Sequence, residues 1–594
     1  MGVVGDRHPT ELEQRLIDSV VRGELLDLAG DEPVDEAAMR SWDGPGRTVR
    51  AEIIRDVVLG RLAAEPDPRG LRLRGALIAG RIDLENVTRD LNVQLTACHV
   101  PDGLLLRDTS LLALDLADSR IGPSSGSDGP TIDAARLTVR LLDLSGTTVT
   151  GTADGGAIRL VAAHFDQLTC QGARLRNTGG PALNADGLRV EQDVFLSDGF
   201  TATGTGEHGA VRLPGAHFGH LDCTGARLEN TTGPALNADS LRVDQAVFLR
   251  DGFTATGAGN LGTIRLLGAH IGQLECDGAR LENTTGPAMH ADSLRVDQAV
   301  FLRDGFTATG TGDDGAVRLS AAHIGGQLDC TGARLENTTG PALNAGSMHV
   351  GQTTYLVNGF TATGAGGRGV LQLDDAHIGG GLRLDTDRVF TTDPLNRTLV
   401  DLDGTVYTGL PRPGSLDRWL RVLREHTPAY AAQPYQQLAA VHRAAGHDHE
   451  ARDILMAQRR DQIERGAITG TDRAWARITG LTLGFGYQPW RALLLLVGVL
   501  LLSVSAAVLA GHDGGLAHTS RTTTPGAACS TLEQIGVGLD VGTPLFKTGT
   551  RDQCAPTATT TGQALTIVGW LLQALAWAFA ALFIAGFTSA VRRT

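Results

Sequence analysis

Along most of this chain apolar and polar positions alternate over short runs such as AVRL, HLDC, ARL, SLRV and AVFL, separated by Gly, Asn, Asp and Thr. A period of two, interrupted by turn residues, predicts short strands with one face inward. The long amphipathic segments that a helical solenoid needs are missing here. The runs also recur. Phe200, Phe253, Phe306 and Phe360 lie in near-identical GFTATG segments spaced 53, 53 and 54 residues apart, and Cys170, Cys223, Cys276 and Cys330 keep the same intervals. Pro181, Pro234, Pro287 and Pro341 do so too, and His164, His217, His270, His323 and His377 carry the pattern into a fifth unit. A fixed period of this size means stacked supersecondary units. The predicted fold is mainly β: a parallel β-helix over residues 69–412, with strict repeats over about 157–380 and two or three rungs per unit. GLRLRGALIAGRIDLENV and SLLALDLADSRIG supply earlier, looser rungs. At ~25 residues per rung and ~4.8 Å per strand, the rod is roughly 60–70 Å long.

Open solenoid ends expose unpaired strand edges, so caps are expected. Residues 1–68 provide a helical one, because TELEQRLIDSVVRGELLDLAG and RTVRAEIIRDVVLGRLA have helical spacing. Residues 413–480 read as a helical hairpin and juxtamembrane region, SLDRWLRVLREH followed by QPYQQLAAVHRAAGHDHEARDILMAQRRDQIERG, turning at Gly446. Two apolar stretches follow, Leu493 to Ala510 and Ala564 to Ala590, each long enough to span a bilayer. They predict transmembrane helices at 491–511 and 563–590, a connecting loop at 512–562 and a tail at 591–594. Trp490 and Trp570 stand near span ends, as interface anchors do.

Arg473, Arg477 and Arg491 precede the first span and Arg592 and Arg593 follow the second, while the loop's basic residues are Arg521, Lys547 and Arg551. The positive-inside rule then makes this an integral protein of the cell membrane, with both termini and the rod cytoplasmic and the loop outside. That topology divides the seven cysteines. Cys98, Cys170, Cys223, Cys276 and Cys330 stay reduced, whereas Cys529 and Cys554 face an oxidising space and are disulfide candidates. The formal charge of -14 and the 4% of aromatic residues leave no basic footprint for nucleic acid. The opening MGVVGDRHPTELEQ lacks the apolar centre of a secretory signal, and Asp6 stands where a myristoylation signal has Ser or Thr.

Gly204, Gly206 and Gly209 spell G-x-G-x-x-G, the dinucleotide-binding turn. The spelling returns at Gly257, Gly259 and Gly262, at Gly310, Gly312 and Gly315, and at Gly364, Gly366 and Gly369. That turn holds pyrophosphate at the N-terminus of a following helix, but Ala210-Val211-Arg212-Leu213 reads as a strand. The glycines are therefore expected to be structural turns, and no cofactor is predicted. His and Cys six residues apart, as in AHFDQLTC, suggest a zinc ladder. Equivalent residues two rungs apart are ~10 Å apart, too far for one ion bonded at ~2 Å. His447 and His449 in HDHE are the remaining metal candidates and lack an evident fourth ligand, so no metal site is predicted. ENTTGPALNA carries the N-x-T spelling at Asn230 and Asn337, and its variant carries it at Asn283; a polar turn accounts for these residues. Asp83 with Glu85, and Asp115 with Asp118, are scattered carboxylates that nothing in the sequence sets opposite each other as sugar cleavage requires. No catalytic constellation emerges.

RTVRAEIIRDVVLG, GLRLRGALIAGRIDLENV, QPYQQLAAVHRAAGHDHEAR, GFGYQPWRA and FIAGFTSAVRR together give nearly the full length of the chain a likeness. It resembles a family of actinobacterial two-span β-solenoid proteins commonly named "membrane-associated oxidoreductase". The resemblance implies this architecture and, through the name, an oxidoreductase activity for which the sequence offers no residues. ADSLRV and LDLADSRI are also similar to pentapeptide-repeat solenoids, without the strict five-residue register. The expected function is that of a non-enzymatic, membrane-anchored scaffold or recognition rod, with a protein partner along the solenoid and the bilayer at its anchor. The alternatives are a membrane-associated oxidoreductase and a two-span channel or transporter subunit. Outward stripes of mixed, non-repeating charge would favour a specific partner, and uniform stripes a plain spacer.

Overall fold

The computed structural model describes residues 8–30, 34–122, 129–365, 367, 369–390, 398–466, 470–484, 488, 490–543 and 547–591. Gly366, Arg592 and Arg593 lie outside them. The chain divides into two compact units, residues 1–441 and 442–594.

The first unit is a parallel β-solenoid whose full turns visit three faces. His217–Asp222 lies on the first face, Arg227–Asn230 on the second and Leu236–Asn237 on the third, before Arg242–Phe248 returns to the first. The second and third faces are 13-stranded parallel sheets. The first has 18 strands, because bulges break some of its rungs into two short pieces. Strands on the first face begin at His217, Arg242 and His270, so alternating steps of 25 and 28 residues make one 53-residue repeat. Each repeat therefore supplies two rungs. Inward positions stack in like columns: Phe200, Phe253, Phe306 and Phe360 are wholly buried, as are Cys223, Cys276 and Cys330 one corner away. Burial of each such aromatic ring contributes about 1.5–3 kcal/mol. The corner before each phenylalanine needs a left-handed residue, and Asp198, Asp251, Asp304 and Asn358 take it with φ near +50° (52°, 49°, 53° and 51°). Asp and Asn tolerate that region best among residues with a Cβ.

The N-terminal cap begins with helix Glu11–Arg22, opened by a Thr10/Glu13 capping box and closed by Gly23 at φ 66°. Glu13 is buried and accepts from the Arg50 guanidinium at 2.7 Å. Burial pushes its carboxyl up, but hydrogen bonds from Arg50 and Thr10 and the Arg50 charge outweigh this and hold it at about 2. The solenoid starts earlier than the sequence suggests, inside the stretch expected to be only a cap. Leu26–Asp27 and Thr48–Arg50 already pair in parallel with Leu71–Arg74 and Leu77–Ala79. Two-residue and three-residue strands between helices carry too little alternation to be read in advance. At the other end, Val406–Arg412 is the last first-face strand. Gln433 and Gln437 of helix Gln433–Ala444 donate to the carbonyls of Thr405 and Tyr407 at 2.8 and 2.6 Å, which occupies part of that edge.

The second unit holds the helices Asp448–Arg465, Gly470–Leu483, Trp490–His512, Thr531–Gly542 and Thr560–Val591. Trp490–His512 and Thr560–Ala585 are long and apolar enough to cross a membrane, with mean hydropathy of 2.8 and 2.1. They are not buried core helices, since only 22% and 11% of those windows is covered and Leu501, Leu502, Leu509, Trp570 and Leu571 face outward. Between them Leu516–His518 pairs antiparallel with Cys554–Pro556, and a disulfide joins Cys529 to Cys554. Helix Thr531–Gly542 lies against Trp490–His512 through glycines. A Cβ at Gly538 would meet Val504 Cα at 2.5 Å, and one at Gly542 would meet Leu500 Cα at 3.1 Å. Ser503 Oγ donates to the Gly538 carbonyl at 2.8 Å. Buried Asp540 accepts from the backbone amides of Thr548 and Arg551.

Candidate functional site

The glycine-rich turns are parts of the solenoid's corners. Gly206 and Gly209 have φ of 93° and 116°, and strand Val211–Arg212 follows where a phosphate-binding helix would stand. The Gly206 amide donates to Thr232 Oγ1 of the next rung at 2.7 Å, and Gly259 and Gly312 donate likewise to Thr285 and Thr339. Amides engaged in this way do not cradle a pyrophosphate. The N-x-T asparagines complete the same interlock. Buried Asn230 donates to the Gly206 and Pro234 carbonyls at 3.0 and 2.7 Å and accepts from the Thr232 and Gly233 amides. Asn283 and Asn337 repeat this, which leaves no amide nitrogen for a glycan. The two motifs that stand apart in the sequence are two halves of one joint.

The five body cysteines are buried and unpaired. Burial pushes their thiols up, that of Cys98 to about 12, so none is a ready thiolate. His447 stands at the start of helix Asp448–Arg465 with its ring 5.7 Å from that of His442, and exposed His449 pairs with Asp453 at 3.1 Å. A closer cluster is His518, Cys529 and Glu533, but the Cys529 sulfur is bonded to Cys554, and His518 is bonded to Glu533 at 3.0 Å. Asp83 and Glu85 pair with Arg55 and Arg107. Strand register sets Asp115 beside Asp143 rather than Asp118. Burial pushes the Asp115 carboxyl up and the Asp143 charge adds to the rise, yet both acids serve turns, accepting from the amides of Ala117 and Ser145. Only the register, invisible in the sequence, could have paired them.

The feature that stands out lies on the first face. One outward column runs through His164, Arg189, His217, Arg242, His270, Arg295, His323, His349 and His377 in adjacent rungs. In its first part each histidine meets an acid of the next rung. His217 Nε2 lies 2.9 Å from Asp244, His270 Nε2 lies 2.9 Å from Asp297, and His164 lies 3.5 Å from Glu191. In its last part the pattern breaks. His349 occupies the place of the arginines, Gly351 occupies the place of the acids, and the rings of His323, His349 and His377 stack at 4.7 and 4.8 Å with 2° between planes. Each Nδ1 lies 3.0–3.1 Å from a carbonyl two residues back, at Ala321, Ser347 and Asp375. A carbonyl only accepts, so each Nδ1 donates to it and carries a proton.

Beside the stack Gly325, Gly351 and Gly379 form a floor of bare backbone. A Cβ on any of them would meet the preceding rung's carbonyl oxygen at 2.1–2.3 Å. Stack and floor line an open cleft of about 670 Å³. Parallel rings this far apart do not converge three nitrogens on one ion at ~2.1 Å.

The second face is uniform by contrast. Thr201 and Thr203, Thr254 and Thr256, and Thr307 and Thr309 alternate with Arg227 and Glu229, Arg280 and Glu282, and Arg334 and Glu336. No protein-family model, curated protein or solved structure matches the chain.

Proposed function

We propose that the protein is a membrane-anchored recognition rod. Its two apolar helices hold it in a bilayer, and the His323–His349–His377 stack with its glycine floor receives a protein partner. The observation that carries this reading is the break in the first-face column, which puts a non-repeating patch where the column has until then repeated. A plain spacer would keep the uniform stripe seen on the second face. A flat backbone floor flanked by stacked imidazole rings suits an extended segment of a partner chain.

A photo-reactive residue at exposed Gln352, beside the floor, should cross-link a discrete protein in cells, and one at exposed Thr256 on the second face should not. No adduct at either position, or the same adducts at both, would defeat the recognition role. Release of the chain from membranes by alkaline carbonate would defeat the anchor. The likeness to "membrane-associated oxidoreductase" proteins remains a proposal, a rival reading with an unidentified cofactor.

A second reading, a pore subunit, has one observation in its favour. Helix Thr531–Gly542 descends beside the first apolar helix until Gly542 reaches Leu500, twelve residues from His512. Twelve residues are about 18 Å, around half a bilayer core. Polar groups near that depth, such as Asp540 with the Thr548 and Arg551 amides it accepts from, are tolerated where protein or water surrounds them. Several copies would have to assemble around the opening. Unitary conductance in planar bilayers containing the purified chain would support this reading, and silent bilayers would remove it.

A further inference from the structure

The last two rungs of the first face hold two arginines side by side. Strand register sets Arg383 directly against Arg412, with Tyr355 next in line on the preceding rung. Neither guanidinium makes an ion pair or hydrogen bond to any described residue, and the Arg383 Nε is buried without a partner. These groups line one open cleft of about 610 Å³ together with Thr331, Asn358 and Asp329. Along the regular repeats several half-buried arginines are matched to an acid, as Arg212 is to Asp186, Arg265 to Asp239, and Arg303 to Asp277. Asp329 is the one acid among the described residues that line the cleft. Its Oδ1 accepts from Thr331, and Tyr355 stands between it and Arg383 in the column.

Adjacent like charges on neighbouring strands repel. A buried donor without an acceptor is costly. Both penalties are relieved by one thing, an oxyanion that takes hydrogen bonds from both guanidinium forks. We propose that Arg383 and Arg412 form a binding site for a phosphate monoester, with the Tyr355 hydroxyl and the Asn358 amide as further donors. The cleft's size and its open side admit a phosphate that belongs to a larger molecule. Two sources share this chemistry, a soluble phosphate compound and a lipid headgroup ending in a phosphate monoester.

The test uses the full chain, titrated calorimetrically with inorganic phosphate in detergent. In parallel the chain is placed in phosphatidylcholine nanodiscs with and without phosphatidic acid, and retained lipid is read by native mass spectrometry. The variants are R383Q, R412Q on an exposed side chain, and R280Q on the second face as control. Saturable phosphate binding weakened about tenfold by R383Q and by R412Q, the loss expected for one charge-assisted contact, but not by R280Q, supports the site with a soluble source. Retention of phosphatidic acid that R412Q abolishes, without binding of free phosphate, supports the site with a lipid source. Absence of both, or binding that is indifferent to R412Q, overturns the proposal. R412Q keeps the test decisive if R383Q fails to fold.

Discussion

Two stretches of the first face share one strand pattern and end differently. From His164 to Asp297 every histidine of the column faces a carboxylate one rung on, so the polar groups close upon the rod itself. From His323 to Arg412 the histidines stack on one another, and two guanidinium groups stand without acids. Few replacements separate the two: at the decisive rung His349 stands for arginine and Gly351 for the acid. Repetition supplies a stiff, self-satisfied frame, and local departures from it supply surface that is left for something else. The same logic distinguishes the faces, because from Thr201 to Glu336 the second repeats its threonine and arginine–glutamate rungs without such a break.

If the regular stretch is held by its interlocking turns, one change there should have the largest effect. Asn283 makes four hydrogen bonds, two donated to Gly259 and Pro287 and two accepted from Thr285 and Gly286. Asn283→Ala leaves the buried Pro287 carbonyl and Gly286 amide unpaired, at a cost of about 3 kcal/mol or more. In a solenoid the damage spreads mainly to neighbouring turns. Amide exchange should therefore accelerate over the rungs from Thr254 to Arg318 and stay slow beyond His349. Acceleration along the whole rod, or none, would remove the distinction between the stretches.

A smaller effect follows from acid. The hydrogen bond from His217 is the main reason the Asp244 carboxyl is held below its usual range, with Arg242 contributing. For Asp292, burial pushes the carboxyl up, but hydrogen bonds from His290 and Arg318 outweigh it and the net direction is down. A carboxyl lowered in the folded state stabilises above its unfolded value, ~3.9, and loses that contribution as pH falls through the folded one. Protection of rungs 242–318 should drop as pH falls below about 4, with amide exchange corrected for its intrinsic pH dependence. The unpaired histidine stack offers no such carboxylate bond to lose. Equal loss in both stretches would show that these acids are not what distinguishes them.

The sequence carries the frame of this molecule well and its sites poorly. Period-two runs and the 53-residue interval specify a parallel solenoid, and the uncharged apolar runs specify both long helices. The two-rung repeat follows once alternate corners carry Cys and Leu, as at Cys223 and Leu249. What stays hidden is register. Asp115 meets Asp143, Arg383 meets Arg412, and His323 meets His349 only because rungs of unequal length bring them level. The descent of Thr531–Gly542 along the first apolar helix is equally hidden, since IGVGLDVG reads as an ordinary loop segment until Gly538 and Gly542 are seen against Val504 and Leu500. The break at His349 and Gly351 was legible in principle, by aligning the repeats column by column and asking where one departs.

That departure gives the smallest effect on stability and the sharpest one on function. His349→Arg restores the residue that the column carries at Arg189, Arg242 and Arg295, and it leaves the close-packed glycine floor untouched. The position is exposed, so stability should change by no more than about 0.5 kcal/mol. The ring stack, however, is lost. His323 and His377 would lie two rungs apart, ~10 Å, with a guanidinium between them in place of an imidazole ring. Arg242 is steadied by Asp244 at 3.1 Å, but the new arginine would find Gly351 at the corresponding place and no acid to hold it. Cross-linking from Gln352 should then fall to the level seen from Thr256, with the melting temperature unchanged. If the adduct survives His349→Arg, the partner reads the glycine floor alone, and the stacked histidines are a consequence of the rung's geometry rather than its purpose.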